Sequence, residues 1–297
     1  MADGGGVVTL TGTTITYRSL TLYGRADLGR FSIQSLEGWE DLPSPRQDSV
    51  PRPHAHGRFG ASVYSDERHV LVSGRCNSIA ERDALLLELK ATFNLHTADA
   101  VPLAITHAGR TLTSNARLLR FKSSSPDWGG GFIEWAVEWV CDDPLRYGAQ
   151  VQKSAVFAVL VGGLEYDLYT DGTTDTGWLE FGTVSISDRV SLSNTGDEDV
   201  WPQFEVTGPV AAEGFDIICL GNSNRLRYEG AVSSGSTLVI DSATGSVMID
   251  GYADRTGLLT VREWTAIPAG GSADFTFLPL GATSGAVLTA FFAPGWW

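Results

Sequence analysis

Basic residues are scarce in the second half of this chain. Residues 151–297 hold 6 Lys plus Arg against 18 Asp plus Glu, a net −12, whereas residues 1–150 hold 15 against 17, a net −2. A surface that poor in cations repels phosphates, so no nucleic-acid readout is expected there. Solubility is the plain benefit of the charge. Cysteine is equally sparse: Cys76, Cys141 and Cys219 are an odd number, widely spaced and without a CxxC pair. A disulfide framework is therefore not expected, and three reduced thiols of a chain folded in a cytoplasm are. No apolar run approaches the roughly 20 residues that span a bilayer. The opening MADGGGVV lacks the basic segment and apolar stretch of a secretory signal. Neither membrane insertion nor classical secretion is expected.

Motifs that carry chemistry are missing as well. There is no GxSxG elbow, GxxxxGK[ST] loop, HExxH, or GxGxxG followed by a helix. His54 and His56, with His69 further on, lack a Cys or carboxylate at ligand spacing, so they read as exposed or docking side chains rather than metal ligands. Asp171, Asp175 and Glu180, and separately Asp197, Glu198 and Asp199, are acidic loops without the spacing of a calcium loop. No pair of carboxylates is marked out for glycoside hydrolysis. No cofactor, metal site or catalytic residue is expected.

What the chain does have is strand material around one helix. Its 297 residues, 43% hydrophobic and 19% charged, suit two β-rich domains. Residues 78–93 open on a capping box, Ser78 with Glu81, and carry Leu85, Leu86, Leu89 and Phe93 at helical spacing. Asp83, Glu88 and Lys90 fall off that stripe and should face outward. Residues 14–23 and 31–36 alternate as strands. Residues 58–64 and 68–75 read as a hairpin across Ser65, Asp66 and Glu67, and residues 102–107 and 111–121 as another, turned at Ala108 and Gly109. In FIEWAVEWVC (132–141) one face is Ile133, Trp135, Val137, Trp139 and Cys141, wholly apolar and so core. Residues 145–160 read as a linker. Beyond them, turn signals every ten or so residues separate short strands, among them TLVID and SVMID across a four-residue turn, the pattern of an antiparallel sandwich.

Two features point outward. Residues 38–57, GWEDLPSPRQDSVPRPHAHG, hold Pro43, Pro45, Pro51 and Pro53, and read as a long irregular arm. Of the nine tryptophans, Trp135, Trp139 and Trp264 sit in strand patterns as core. Trp39, Trp128, Trp178, Trp201, Trp296 and Trp297 sit in or beside turns, where a rigid aromatic suits an interface, a sugar or a packed loop equally.

In this order the segments are familiar. An N-terminal strand pair, a Pro/Arg arm, one helix with RDALLLELK and a strand ending in WVCDDPLRYG are followed by NTGDEDVWPQFEVTGPV, LVIDSATGSVMIDG and REWTAIPAGGSADFTFLPLGATSGAVLTAFFAPGWW. Together they resemble the distal tail protein of long-tailed, non-contractile bacteriophages over nearly the whole chain. The resemblance implies an all-β protein of two sandwich domains. Residues 1–148 would be a sandwich with the helix, six copies forming a ring at the tip of the tail tube. Residues 149–297 would be a galectin-like sandwich. Implied partners are the tail tube protein, a baseplate hub or tail-associated protein, and the tape-measure protein or fibres. The implied place is the virion tail tip, after assembly in the bacterial host cytoplasm. There is no obvious inserted carbohydrate-binding domain.

A heterologous ring needs two complementary patches per copy. Residues 39–57 supply one if Trp39, Arg46, Arg52, His54 and His56, with Arg58 just beyond, reach a neighbour. The alternative from another class is a carbohydrate- or receptor-binding baseplate module using Trp178 and Trp201. A third is an acidic β-sandwich glycosidase.

Overall fold

Residues 14–23 form two strands rather than the single alternating one that their pattern suggests. β1 (Thr14–Tyr17) and β2 (Leu20–Tyr23) fold back on each other across Arg18, whose φ of 54° makes the tight reversal. The computed structural model describes residues 10, 12–24, 31–47, 49–60, 63–76, 82–93, 99–124, 133–157, 159–160, 184–185, 188–281 and 285–297. It divides into one unit of Met1–Ala149 with Trp296–Trp297, and a second of Gln150–Gly295.

The first unit continues with β3 (Phe31–Glu37), β4 (Pro45–Gln47), β5 (Val63–Ser65), β6 (Arg68–Cys76), α1 (Arg82–Thr92), β7 (Val101–His107), β8 (Arg110–Ser123), β9 (Glu134–Cys141) and β10 (Arg146–Tyr147). Here the expectation of a sandwich is corrected. The ladder runs β8-β7-β1-β2-β3-β6-β9, and β9 pairs again with β8, so seven strands close into a barrel. Closure comes from β8, 14 residues long. Its ladder is shifted between Leu118 and Arg120 where it meets β9, and β3 has a similar irregularity between Ile33 and Ser35. Such irregularities bend a sheet. Alternation in a sequence shows which face of a strand is buried, not whether its sheet closes.

Ile15, Tyr17, Leu22, Ile33, Val70, Val72, Leu103, Ile105, Trp135, Val137, Trp139 and Cys141 fill the core, including every apolar position expected of β9 from Trp135 onward. β7 and β8 form the expected hairpin, with Ala108 and Gly109 both at positive φ. The helix is described from Arg82, so Ser78 and Glu81 lie outside the described residues. Leu85 and Leu89 are buried with Phe93, while Asp83, Glu88 and Lys90 face outward as expected. Phe93 meets the rings of Tyr17, Phe121 and Trp139 at 6.1, 5.2 and 5.8 Å. Arg18 Nη1 donates to the Thr92 carbonyl at 2.9 Å, satisfying an acceptor at the helix C-terminus.

The residues read as a linker are largely paired. Tyr147 of β10 pairs with Thr113 of β8, and β11 (Val151–Val156) belongs to the second unit. That unit continues with β12 (Val159–Leu160), β13 (Val184–Ser185), β14 (Arg189–Ser193), β15 (Gln203–Thr207), β16 (Phe215–Cys219), β17 (Arg225–Tyr228), β18 (Thr237–Asp241), β19 (Ser246–Ile249), β20 (Ala253–Asp254), β21 (Leu259–Arg262), β22 (Ser272–Pro279), β23 (Val287–Phe292) and the start of β24 (Gly295–Trp296). Two antiparallel sheets, β11-β23-β15-β18-β19-β20 and β14-β22-β16-β17-β21, share one apolar cluster. Phe204 of the first sheet meets Phe275 of the second edge-on at 5.1 Å. The TLVID and SVMID segments pair as expected, because Asp241 accepts from the amides of Ala243 and Thr244 and Gly245 takes φ 69°.

Candidate interaction site: a ribbon at residues 44–66

The proline-rich stretch is irregular except where β4 and a bridge at Pro51 pair it, and among the described residues none of 58–64 pairs with β6. Instead β4 pairs with β5 in the register Pro45↔Ser65, Arg46↔Tyr64 and Gln47↔Val63, while β6 pairs with β3 and β9. The ladder is extended at both ends: Asp66 N donates to Ser44 O at 2.8 Å, Phe59 N to Val50 O at 2.9 Å and Arg52 N to Gly57 O at 3.1 Å. Pro51 bridges Arg58. A two-stranded ribbon has a free edge on each strand, where proline's missing N–H costs little. Proline content therefore hides the short pairing of β4 with β5 without excluding it.

The ribbon has almost no core of its own. Leu42, just before it, and Val50 and Val63 are exposed, Phe59 is 55% exposed and Tyr64 is 63% exposed. Arg46, Arg52, His54, His56 and Arg58 are exposed among them. Arg52 lies 5.5 Å from the Phe59 ring centroid, and Arg58 donates to Ser49 Oγ at 3.1 Å. A lone two-stranded ribbon is marginal in water, and clustered exposed apolar side chains mark a contact surface. Five members of the predicted arm set thus share one surface element.

Trp39, the sixth, does not. It is 1% exposed and belongs to the barrel core. It anchors the loop from which the ribbon leaves. Just before it Gly38 has φ 79°, and a Cβ there would lie 1.9 Å from His69 O, so only glycine fits. Arg68 holds this loop from beneath. Itself 1% exposed, it donates from Nη1 to the carbonyls of Gly38, Trp39 and Asp41 at 2.9, 2.9 and 2.6 Å, and from Nε to Pro144 O at 2.8 Å. Burial, and after it the neighbouring Arg146, lower its pKa. Arg146 donates to Glu40 at 2.7 Å and to Trp297 O, with its Cζ 5.7 Å from the Trp39 ring centroid. Neither arginine was legible as a site residue. Arg68 opens a strand and Arg146 sits in a presumed linker, and no local signal separates a buried cation from a solvated one.

Other predicted residues lie apart. Trp201 is 47% exposed on the second unit, beside the Val200↔Ile267 bridge, whereas Trp178 and Trp128 lie outside the described residues. Trp264 is partly buried against the second core. Trp296, one of the six tryptophans beside turns, packs on the first core with Arg110 Cζ 3.9 Å from its ring centroid. Asp199 serves the backbone, accepting from Ala269 N at 2.8 Å. Asp171, Asp175 and Glu180 lie outside the described residues. His69 stands between Glu67 and Glu138 at 3.3 and 3.4 Å on an exposed face. Among the described residues no cluster of His, Cys, Asp and Glu is placed to hold a metal. Nor is any helix long and apolar enough to cross a membrane. All three cysteines are buried thiols outside any disulfide, and burial pushes the Cys141 thiol up.

Neither a family model nor a curated protein matches the sequence. Solved structures do match. The chain is similar to SPP1 Dit (gp 19.1), a paradigm of the hub adsorption apparatus in phages that infect Gram-positive bacteria, with a TM-score of 0.64 at 14% identity over 95% of this chain and 98% of that one. It is also similar to chains of the phage P2 baseplate in its activated conformation with Ca and with Sr. Those TM-scores are 0.47 and 0.48, at 10% identity, over 94% and 95% of this chain and 97% of each of those. The chain has the fold of a phage distal tail protein, a likeness that rests on SPP1 Dit.

Proposed function

We propose that this chain is a structural, non-enzymatic component of a phage tail tip. Six copies form a ring through the first unit and connect the tail tube protein to the baseplate hub or tail-associated protein and the adhesion apparatus, with the tape-measure protein or fibres as further neighbours. The ribbon carries this reading: an element with Val50, Phe59, Val63 and Tyr64 in water and cations among them gains stability by lying on another surface. The near-neutral first half suits close packing of like copies. The second unit, as a galectin-like sandwich of net −12, suits a solvated periphery. The division at residues 148 and 149 then separates a ring-forming domain from a docking one. Three buried thiols fit assembly in the bacterial host cytoplasm.

Light scattering and negative-stain images of the purified protein, alone and with a hub partner, test this. Rings with an axial pore are expected. A solitary particle under both conditions overturns the reading. In the ring, Val50→Ser, Phe59→Ser, Val63→Ser and Tyr64→Ser combined give a folded monomer. The exposed Trp201 favours a second reading, glycan or receptor binding by the second unit. Glycan-array binding lost in Trp201→Ala or Trp178→Ala would establish it.

A further inference from the structure

The ribbon leaves the first unit from a loop that is gripped twice. Arg68 takes its carbonyls, as described. Arg146, 6% exposed, takes its side chains: one guanidinium donates to the Glu40 carboxylate, faces the Trp39 ring and donates to the Trp297 carbonyl. Trp297 is placed by Trp296, which lies in the ladder beyond β10 and against the first core under Arg110. A chain of contacts therefore runs Arg110–Trp296–Trp297–Arg146–Glu40/Trp39, ending where the ribbon begins. Two buried guanidiniums side by side repel each other, and apolar residues of similar volume commonly serve stability as well or better. What arginine adds is direction. Its planar fork offers several donors in fixed geometry, which a lysine ammonium does not.

We infer that Arg146, together with Trp296 and Trp297, positions the ribbon: it fixes the direction in which residues 44–66 leave the barrel and so whether they meet a second copy of this chain. The inference rests on the ribbon being the contact between copies. Arg68 donates to backbone carbonyls, three in the loop and one at Pro144. Without Arg146 the Glu40 and Trp39 side chains lose their common anchor, and the ribbon swings on a loop that is still attached.

The direction is measured on the monomer, with spin labels at His56→Cys on the ribbon tip and Thr111→Cys on the barrel in the full chain, the native cysteines being buried. The otherwise unaltered labelled chain should give one narrow distance distribution, and Arg146→Lys and Trp296→Ala should broaden it roughly twofold. Arg110→Ala, a milder change at a surface residue, should broaden it less. Unlabelled Arg146→Lys should need about tenfold more protein to assemble, the cost of a lost pre-set geometry. An unchanged width in all three variants overturns the inference. So does broadening accompanied by faster hydrogen exchange throughout β9, which would mean general loosening. If the unaltered chain never assembles, the ring reading fails, and the width still decides whether Arg146 aims the ribbon. If widths broaden while assembly is unaltered, aiming does not govern contact, and the ring stands.

Discussion

Gly74 sits opposite Trp135 across the β6–β9 ladder, and a Cβ at Gly74 would lie 2.5 Å from Trp135 Cζ2 and 2.1 Å from the Ser32 carbonyl. Neither neighbour is the free end of a flexible side chain. Gly74→Ala should therefore cost about 3 kcal/mol, at the upper end of overpacking changes, by displacing an indole from the barrel core. Urea denaturation measures it, and a loss below about 1 kcal/mol would show that the wall gives way easily.

The helix separates core from surface two residues apart. Leu85 is fully buried and Leu87 is 68% exposed. Leu85→Ala should destabilise by about 2–5 kcal/mol, whereas Leu87→Ser should change monomer stability by no more than about 0.5 kcal/mol. Thermal denaturation of both variants checks the contrast.

Tyr17 and Tyr228 predict an alkaline limit. Burial is the main cause raising both phenols above the ordinary 10.0. Their folded pKa exceeds the unfolded one, so the native state holds these protons more tightly. That stability is fully present below pH 10.0 and is lost as pH rises toward the folded values. Ultraviolet titration should show these two phenols ionising after the exposed ones, and Tyr17→Phe should reduce the alkaline loss. Stability that rises above pH 10.0 would contradict the sign.

If the ribbon carries assembly, its cations and its apolar side chains should fail differently. Arg46→Gln, Arg52→Gln and Arg58→Gln combined should weaken assembly mainly at low ionic strength, because exposed pairs are screened within about 10 Å at 0.1 M salt. The quadruple serine change should abolish it at any salt. Light scattering at two salt concentrations distinguishes them. Equal salt dependence in wild type and the arginine variant would remove charge from the contact.

Period-two alternation and turn chemistry were enough for much of the architecture. The apolar face of β9, the Ala108–Gly109 hairpin and the β18–β19 turn all follow from residues within a few positions of one another. Pairing between distant segments did not follow. β8 reaching both β7 and β9, and β5 choosing β4 over β6, are decided by contacts far apart in sequence, which no local pattern encodes. Composition marked out the stretch that holds Arg46, Arg52, His54 and His56, with Arg58 just beyond it, all of them exposed. Trp39 was misplaced because a tryptophan beside a turn looks the same whether it points out or in. Arg68 and Arg146 were invisible, since burial is conferred on them by Trp39, Pro144 and Trp297.

A wall of seven strands that bites its own tail keeps most of its rungs for itself, and β10 with β24 runs on from β8 as a short border. The first unit carries a second, separate border on a small tongue, β4 with β5, whose apolar side chains lie outside the packed interior. Selection can therefore rewrite the tongue residue by residue, trading one neighbour for another, while the vessel that holds it folds as before.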